Sequence, residues 1–476
     1  MNDKAAPIKQ PAPTVLTAKP TTLDECHLVI EAQALQIDQL REQVAAIQER
    51  LKLDSRNSSK PPSSDGPDRP NRAQRRASER KRGAQKGHPG SYRALLDESA
   101  LNGVHECLPQ PQCECGAEVA VQGKPVPHQV FDIPPVKADV QEYRLYSGVC
   151  AGCGKLHRAA LPAGVPSGQI GPRALALIGV LATRYHLTQF KIRDLLAHMM
   201  GLDFSVGAIS EAHGKVAQAL KAPVQEAAGT LAQAPLVHMD ETRYPREGHS
   251  ANWVWAVVAP TLAVFSVLPS RARYVIHDLI GTKPQGIVVS DRYAAYAYID
   301  ASQRQVCWAH LIRDFTRMAE RQGQAGRIGA KLLAMGYLLF RWREQGKKPA
   351  QFEPVQRRVR QALSQGSELP GCKRTRATCQ NLLKLWPALW NFVDNPIVPP
   401  TNNDAERAIR GIVLKRKISG PTRSKRGNEF IARGFSVAES CRRQGRDLIG
   451  YMHEAVIAWI NGSTHPSLAL NPAPSG

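Results

Sequence analysis

Between residues 235 and 310 the apolar pattern breaks into short bursts, and no other stretch restricts the architecture of the chain as much. Leu236-Val237-His238-Met239 reads as a short strand. Residues 253–258 and 262–267 read as a hairpin pair around Ala259-Pro260-Thr261, because a proline turn divides two runs of β-branched and aromatic side chains. Residues 271–280 read as a helix stopped by Gly281. Gly286-Ile287-Val288-Val289-Ser290 and Arg304-Gln305-Val306-Cys307-Trp308 read as two further strands. The order is β-β-β-α-β-α-β. It puts Asp240 at the end of the first strand and Asp291 at the end of the fourth, where neighbouring strands can set them side by side.

A third acid lies much further on. Glu406 falls in the opening turns of a helix over 404–414, with Asn402-Asn403 offering caps. Between the second acid and the third, residues 311–398 are helical, polar and basic, the pattern of an insertion. Three carboxylates gathered from strand ends and a helix start can hold two hard divalent cations, Mg²⁺ or Mn²⁺. Two such ions roughly 3.5–4 Å apart drive in-line displacement at phosphorus. Glu241 is a rival to Asp240, although alternation along a strand aims it elsewhere. Asp404 is a rival to Glu406, and Glu406 with Arg410 also fits an ordinary ion pair one helical turn apart.

Charge names the class of partner. The 476 residues, enough for roughly two to four modules, carry a net charge of +22, which points to a polyanion. Nucleic acid comes first and an anionic membrane surface second. A membrane span is disfavoured, since the apolar run 253–268 is shorter than the roughly 20 residues a spanning helix needs and is split by Pro260-Thr261. The first twenty residues have no signal-peptide core. The expectation is a cytoplasmic, nucleoid-associated protein whose ten cysteines are thiols or metal ligands and not disulfides.

The flanking segments fit that partner. Residues 1–22 read as disordered, and 23–53 as a self-associating coiled coil with the seam Leu23, Cys26, Ile30, Gln33, Ile37, Leu40, Val44, Ile47 and Leu51. A basic linker, 54–99, includes Arg75, Arg76, Arg80, Lys81 and Arg82, which would release counterions on DNA. Residues 100–165 carry Cys113-Glu114-Cys115-Gly116 and Cys150-Ala151-Gly152-Cys153-Gly154. Two close cysteine pairs, each followed by glycine, read as the knuckles of a zinc ribbon, with Cys107, His105 or His157 as substitute ligands. The stretch 126–146 between them alternates like short strands. Residues 166–234 read as helices over 173–186, 190–200 and 206–222, with Pro223 as a stop, either a groove-reading unit or a packed connector. A second basic group follows the third acid: Arg407, Arg410, Lys415 and Arg416 near the site, then Arg423, Lys425 and Arg426. Residues 441–476 read as a last helix and a frayed, proline-rich tail.

In one order, NSSKPPSSD, CxCG…CxxCG, HMDET, SDRYAAY, CWAHLIRDF and NNDAERAIR make the chain resemble a transposase of the insertion-sequence-66 family, one of the DDE transposases. The resemblance runs from the coiled coil to about residue 455. It implies a multidomain α/β protein with a zinc-binding module and a ribonuclease H-like catalytic domain over 235–440, carrying a helical insertion. It also implies metal-dependent cleavage and strand transfer at terminal inverted repeats. Its acid triad maps onto Asp240, Asp291 and Glu406, and small proteins of the same element are implied partners. The family's first knuckle is usually CxxC, whereas this chain has CxC. In CWAH, Cys307 and His310 read as a structural pair close to the active site, and His238 as a packed core histidine. The rival functions are a DNA-binding regulator with an inactive domain and a nuclease that cuts without joining.

Overall fold

The computed structural model describes residues 93–246 and 252–469. The coiled coil, the basic arm with Arg75, Arg76, Arg80, Lys81 and Arg82, and the end of the tail lie outside these residues. Strands β1 (Ser147–Val149) and β2 (Leu156–Arg158) make a short antiparallel hairpin. The alternating stretch 126–146 forms no ladder. Alternation makes a strand only where a partner edge exists, and Pro134-Pro135 removes two donors from this one.

Four helices follow: α1 (Pro172–Thr183), α2 (Gln189–Met200), α3 (Val206–Ala219) and α4 (Lys221–Ala232). The first ends before 186, because His186 takes a left-handed φ of 57°. Thr188 then caps α2 by accepting from Lys191 N. Pro223 does not stop a helix. It sits in the first turn of α4, where its missing N–H would have had no partner.

The central sheet contains β3 (Leu236–Tyr244), β4 (Asn252–Val258), β5 (Ala263–Leu268), β6 (Ile287–Ser290) and β7 (Arg304–Val306). Their order is β5-β4-β3-β6-β7. The β5–β4–β3 half is antiparallel, and β3–β6–β7 is parallel. Helix α5 (Arg273–Ile280) crosses from β5 to β6 and ends at Gly281. Strand β3 is longer than its apolar run. It continues to Tyr244 because β4 keeps offering partners, from Val258 opposite His238 to Asn252 opposite Tyr244. On its other side the ladder to β6 stops at His238–Val289. Asp240 therefore lies mid-strand, past the end of the parallel ladder, and not at a strand terminus.

After β7 come α6 (Trp308–Ala319), α7 (Gly323–Glu344), α8 (Glu353–Ser367), α9 (Lys373–Lys384) and the short α10 (Asn391–Asp394). The chain then returns in α11 (Asn403–Ser419), α12 (Lys425–Gln444) and α13 (Leu448–Asn461). Two cores result. The larger joins β3–β5 to α1, α3, α11, α12 and α13, so the helices before the sheet pack on those that end the chain. The smaller joins Leu236, Val289 and Val306 to α6–α10 through Trp308, Leu311 and Phe315.

Both sheet edges are covered by side chains. Ser436 Oγ of α12 accepts from Phe265 N at 2.8 Å, and Ser440 Oγ accepts from Ala263 N and donates to Ala263 O. At the opposite edge, Asn391 Nδ2 donates to Arg304 O at 2.7 Å. No helix among the described residues is long and apolar enough to cross a membrane.

Candidate active site

The parallel register fixes the first two acids. His238 faces Val289, so the same pairing carried two residues on sets Asp240 beside Asp291. Asp291 is held at the end of β6 by its neighbours. Its Oδ1 accepts from Tyr293 N at 2.9 Å, and its carbonyl accepts from the buried Arg304, which also reaches Ser290 Oγ. Helix α11 packs on β3 and β4 and brings in Glu406 one turn from its start.

That approach is fixed by Asn402. Its side chain does not cap α11. It crosses to the sheet instead: Nδ2 donates to Met239 O at 2.6 Å, and Oδ1 lies 3.2 Å from His238 Nδ1. Its backbone N–H points at Cys307 Sγ, 3.1 Å away. His238 is thus buried but works as a tether between β3 and α11.

The electrostatics follow from crowding acids. Burial pushes the Asp240 carboxyl well above the usual carboxylate range, and the charges of Glu241, Asp291 and Glu406 push it further. The rival acids are otherwise engaged. Glu241 is pushed up by burial and by Asp291, but Arg271 offsets this with an Nε bond of 2.7 Å, and Tyr296 Oη donates to Oε2 at 2.9 Å. Arg271 is itself clamped between the rings of Tyr293 and Trp253. Asp404 is raised by burial, yet twin 3.0 Å bonds from Arg443 outweigh this and hold it below the usual range.

Glu406 has no such partner. His310 Nδ1 is 3.4 Å and Arg313 Nη2 3.5 Å from its Oε1, but neither contact makes a hydrogen bond, and Oε1 and Nδ1 are both buried and unsatisfied. No ion pair joins Glu406 to Arg410 among the described residues. Cys307, His310 and Glu406 bring ligand atoms within 4.8 Å of one another, a possible metal-holding trio. Burial pushes the Cys307 thiol to about 11, so it stays protonated at neutral pH. Asp240, Asp291 and Glu406 do not form so tight a trio. An orphaned carboxylate oxygen and an uncompensated cluster of hard oxygen donors fit divalent cations.

The basic residues divide. Arg407, Arg410, Arg423, Lys425 and Arg426 are exposed and Arg416 is half-buried. Lys415 is buried, and its Nζ donates to Leu187 O at 2.6 Å; burial pulls its ammonium down to about 8. It ties α11 to the α1–α2 turn and does not face a phosphate, a role its place in a basic run conceals.

The cysteine pairs sit on two separate turns. Gly116 N bonds Cys113 O and Gly154 N bonds Cys150 O, with both glycines at positive φ. Backbone N–H groups of Cys115 and Cys153 are aimed at the Cys113 and Cys150 sulfurs and lower those thiols. The two pairs do not converge as the Cys307 trio does.

The geometry defines a mixed α/β protein with a half-buried acidic cluster where a central sheet meets a returning helix. Sequence comparison places it further. The chain belongs to the Transposase IS66 family, whose profile matches residues 167–429. That membership implies a nucleic-acid-processing enzyme of the transposase class, with DNA as its partner. Residues 10–94 match a family of unknown function. Among curated proteins, the chain is similar to two uncharacterized proteins of Sinorhizobium fredii. One, y4hP, is 24% identical over 404 residues, which is 76% of this chain and 72% of the relative. The other, y4jD, is 22% identical over 372 residues, 71% of this chain and 72% of the relative.

Proposed function

We propose that the protein is a DDE transposase that cleaves DNA and joins strands at the terminal inverted repeats of a bacterial insertion sequence. On this reading the sheet is a ribonuclease H-like core interrupted by the α6–α10 insertion. What supports it is that the charges of Asp291 and Glu406 both reach Asp240, while the two competing acids, Glu241 and Asp404, are paired with Arg271 and Arg443. Asp240, Asp291 and Glu406 would hold Mg²⁺ or Mn²⁺, which would supply Lewis acidity for attack at phosphorus and charge stabilisation for the leaving oxygen. The chain's own residues do the positioning. Arg304 fixes the backbone of Asp291, Asn402 fixes α11 against β3, and His310 and Arg313 confine the Glu406 carboxylate.

The exposed Arg407, Arg410, Arg416, Arg423, Lys425 and Arg426 take DNA phosphates, as do Arg75, Arg76, Arg80, Lys81 and Arg82 of the N-terminal arm. Cys113, Cys115, Cys150 and Cys153 would hold zinc once their two turns close on the ion. The module's residues are almost all exposed, so it lacks a core of its own, and a metal would organise it. The coiled coil pairs copies of the chain, small accessory proteins of the element join it, and the work is done in the cytoplasm on the nucleoid.

A strand-transfer assay with element-end DNA and Mg²⁺ tests this. The parent protein joins ends and Asp291→Ala does not. Joining by the mutant would sink the triad, and end binding by a parent that never cuts would support the regulatory reading instead.

A further inference from the structure

Beside the acids, on the side of the insertion, lies a cleft of about 330 Å³ lined by Arg292, Asp314, Arg317, Arg321, Arg374 and Thr378 among others. Four guanidiniums meet one carboxylate there. Asp314 is shared, accepting from Arg292 Nη2 at 2.7 Å and from Arg317 Nη2 at 2.9 Å. Arg321 bonds two neutral groups, Thr375 Oγ1 and Cys372 Sγ. Arg374 is exposed on α9. Arg292 Nε is buried and has no hydrogen-bond partner, although both its Nη atoms are used. An orphaned buried donor in a cleft with three excess positive charges is costly unless an anion is bound there at least part of the time.

The cleft is tied to the acids at two points. Arg292 follows Asp291 directly in the chain. Asp314 and Arg317 lie four and seven residues beyond His310 on α6, about 6 and 10 Å along the helix axis. The guanidiniums come from α6, the turn that follows it, α9 and the end of β6, so their fork geometry can surround one phosphodiester.

We propose that this cleft seats a backbone phosphate of the DNA strand running out of the active site, making the helical insertion a phosphate clamp. This rests on the transposase reading and adds a DNA contact outside the basic segments already named. The clamp reads no bases, so it acts on any sequence.

The test is fluorescence anisotropy of the full chain with element-end and unrelated duplexes in magnesium-free buffer, from 50 to 200 mM salt. The paired variant Arg317→Gln/Arg374→Gln removes two exposed guanidiniums and leaves the Arg292–Asp314 pair intact. Losing one phosphate contact lowers the slope of log affinity against log salt by about 0.9, so the parent should lose about 3.5-fold more affinity than the variant over that fourfold rise, on both duplexes. Lysine at both positions should restore the slope. An unchanged slope with normal binding by the parent overturns the clamp alone. An equal drop for Arg357→Gln/Arg358→Gln, on the exposed face of α8, overturns its assignment to this cleft. Failure of the parent to bind either duplex overturns the clamp and the transposase reading together.

Discussion

Asn402→Ala is the substitution that most directly challenges the account of the site. Asn402 is fully buried and makes its side-chain bonds to β3, more than 160 positions away in the chain. Because Nδ2 donates to Met239 O, Oδ1 is the acceptor, and His238 must carry its proton on Nδ1 to donate to it. Alanine removes two buried hydrogen bonds, each worth about 1 kcal/mol net, and leaves a carbonyl and an imidazole N–H unpaired. The expected loss is about 3 kcal/mol, a large part of a domain's usual 5–15 kcal/mol. A thermal melt should shift down by roughly 6–12 °C if the catalytic unit behaves like a domain of 150–250 residues. Joining activity should fall further, by on the order of 100-fold at a temperature where the variant is folded, because α11 would no longer be pinned and Glu406 would move relative to Asp240. Asn402→Asp keeps the shape but sets a carboxylate against Met239 O, so it should do no better than alanine. A melt within about 0.5 kcal/mol of the parent, or joining at the parent rate, would refute the tether.

Asp240→Asn should melt higher than the parent in metal-free buffer. Burial and three nearby acids raise the folded pKa of Asp240, so its stability contribution is present below the unfolded value of 3.8 and is lost as pH rises, leaving the charged form destabilising at neutral pH. Mn²⁺ at 100 times its dissociation constant should stabilise the parent by about 2.7 kcal/mol and the variant much less; a variant that melts lower without metal would contradict the crowded-acid picture. His213 gives a separate pH signal. It stacks on Phe430 at 4.1 Å, and burial, helped by Lys415 and Arg426, lowers it from 6.5 to about 3. The unfolded chain binds the extra proton between those values, so stability is complete above pH 6.5 and falls toward pH 3, by about 2 kcal/mol on reaching pH 5. Melts of His213→Phe should lose that slope, and an identical slope in both proteins would exclude His213 as its source.

The elements that sequence revealed are those whose burial is local. The hairpin strands β4 and β5 and the buried run at β6 announce themselves as β-branched and aromatic clusters between turn residues. Asp240 and Asp291 stand out because each follows such a run directly. What stayed hidden depends on partners far along the chain. The length of β3 is set by β4 and not by its own polar Asp240-Glu241-Thr242-Arg243. Asn402 has the composition of a cap but spends its amide on Met239, and Lys415 looks like a phosphate ligand but reaches Leu187 O. Arg271 and Arg443, which engage the rival acids, and Arg304, which fixes the backbone of Asp291, carry no local signature at all. A guanidinium buried by tertiary packing looks the same in sequence as one in solvent.

The serines of α12 have a consequence for how copies of this protein can meet. A bare strand edge invites another strand, and many proteins assemble or aggregate by extending a sheet across the boundary between molecules. Here Ser436 and Ser440 consume the amides of Phe265 and Ala263, and Asn391 occupies the carbonyl of Arg304 at the far side. Each hydroxyl spends on a helix the bonding capacity that a sixth strand would need. The sheet is therefore closed at these positions by chemistry, which leaves the strand that bears Asp240 in an unaltered five-stranded frame.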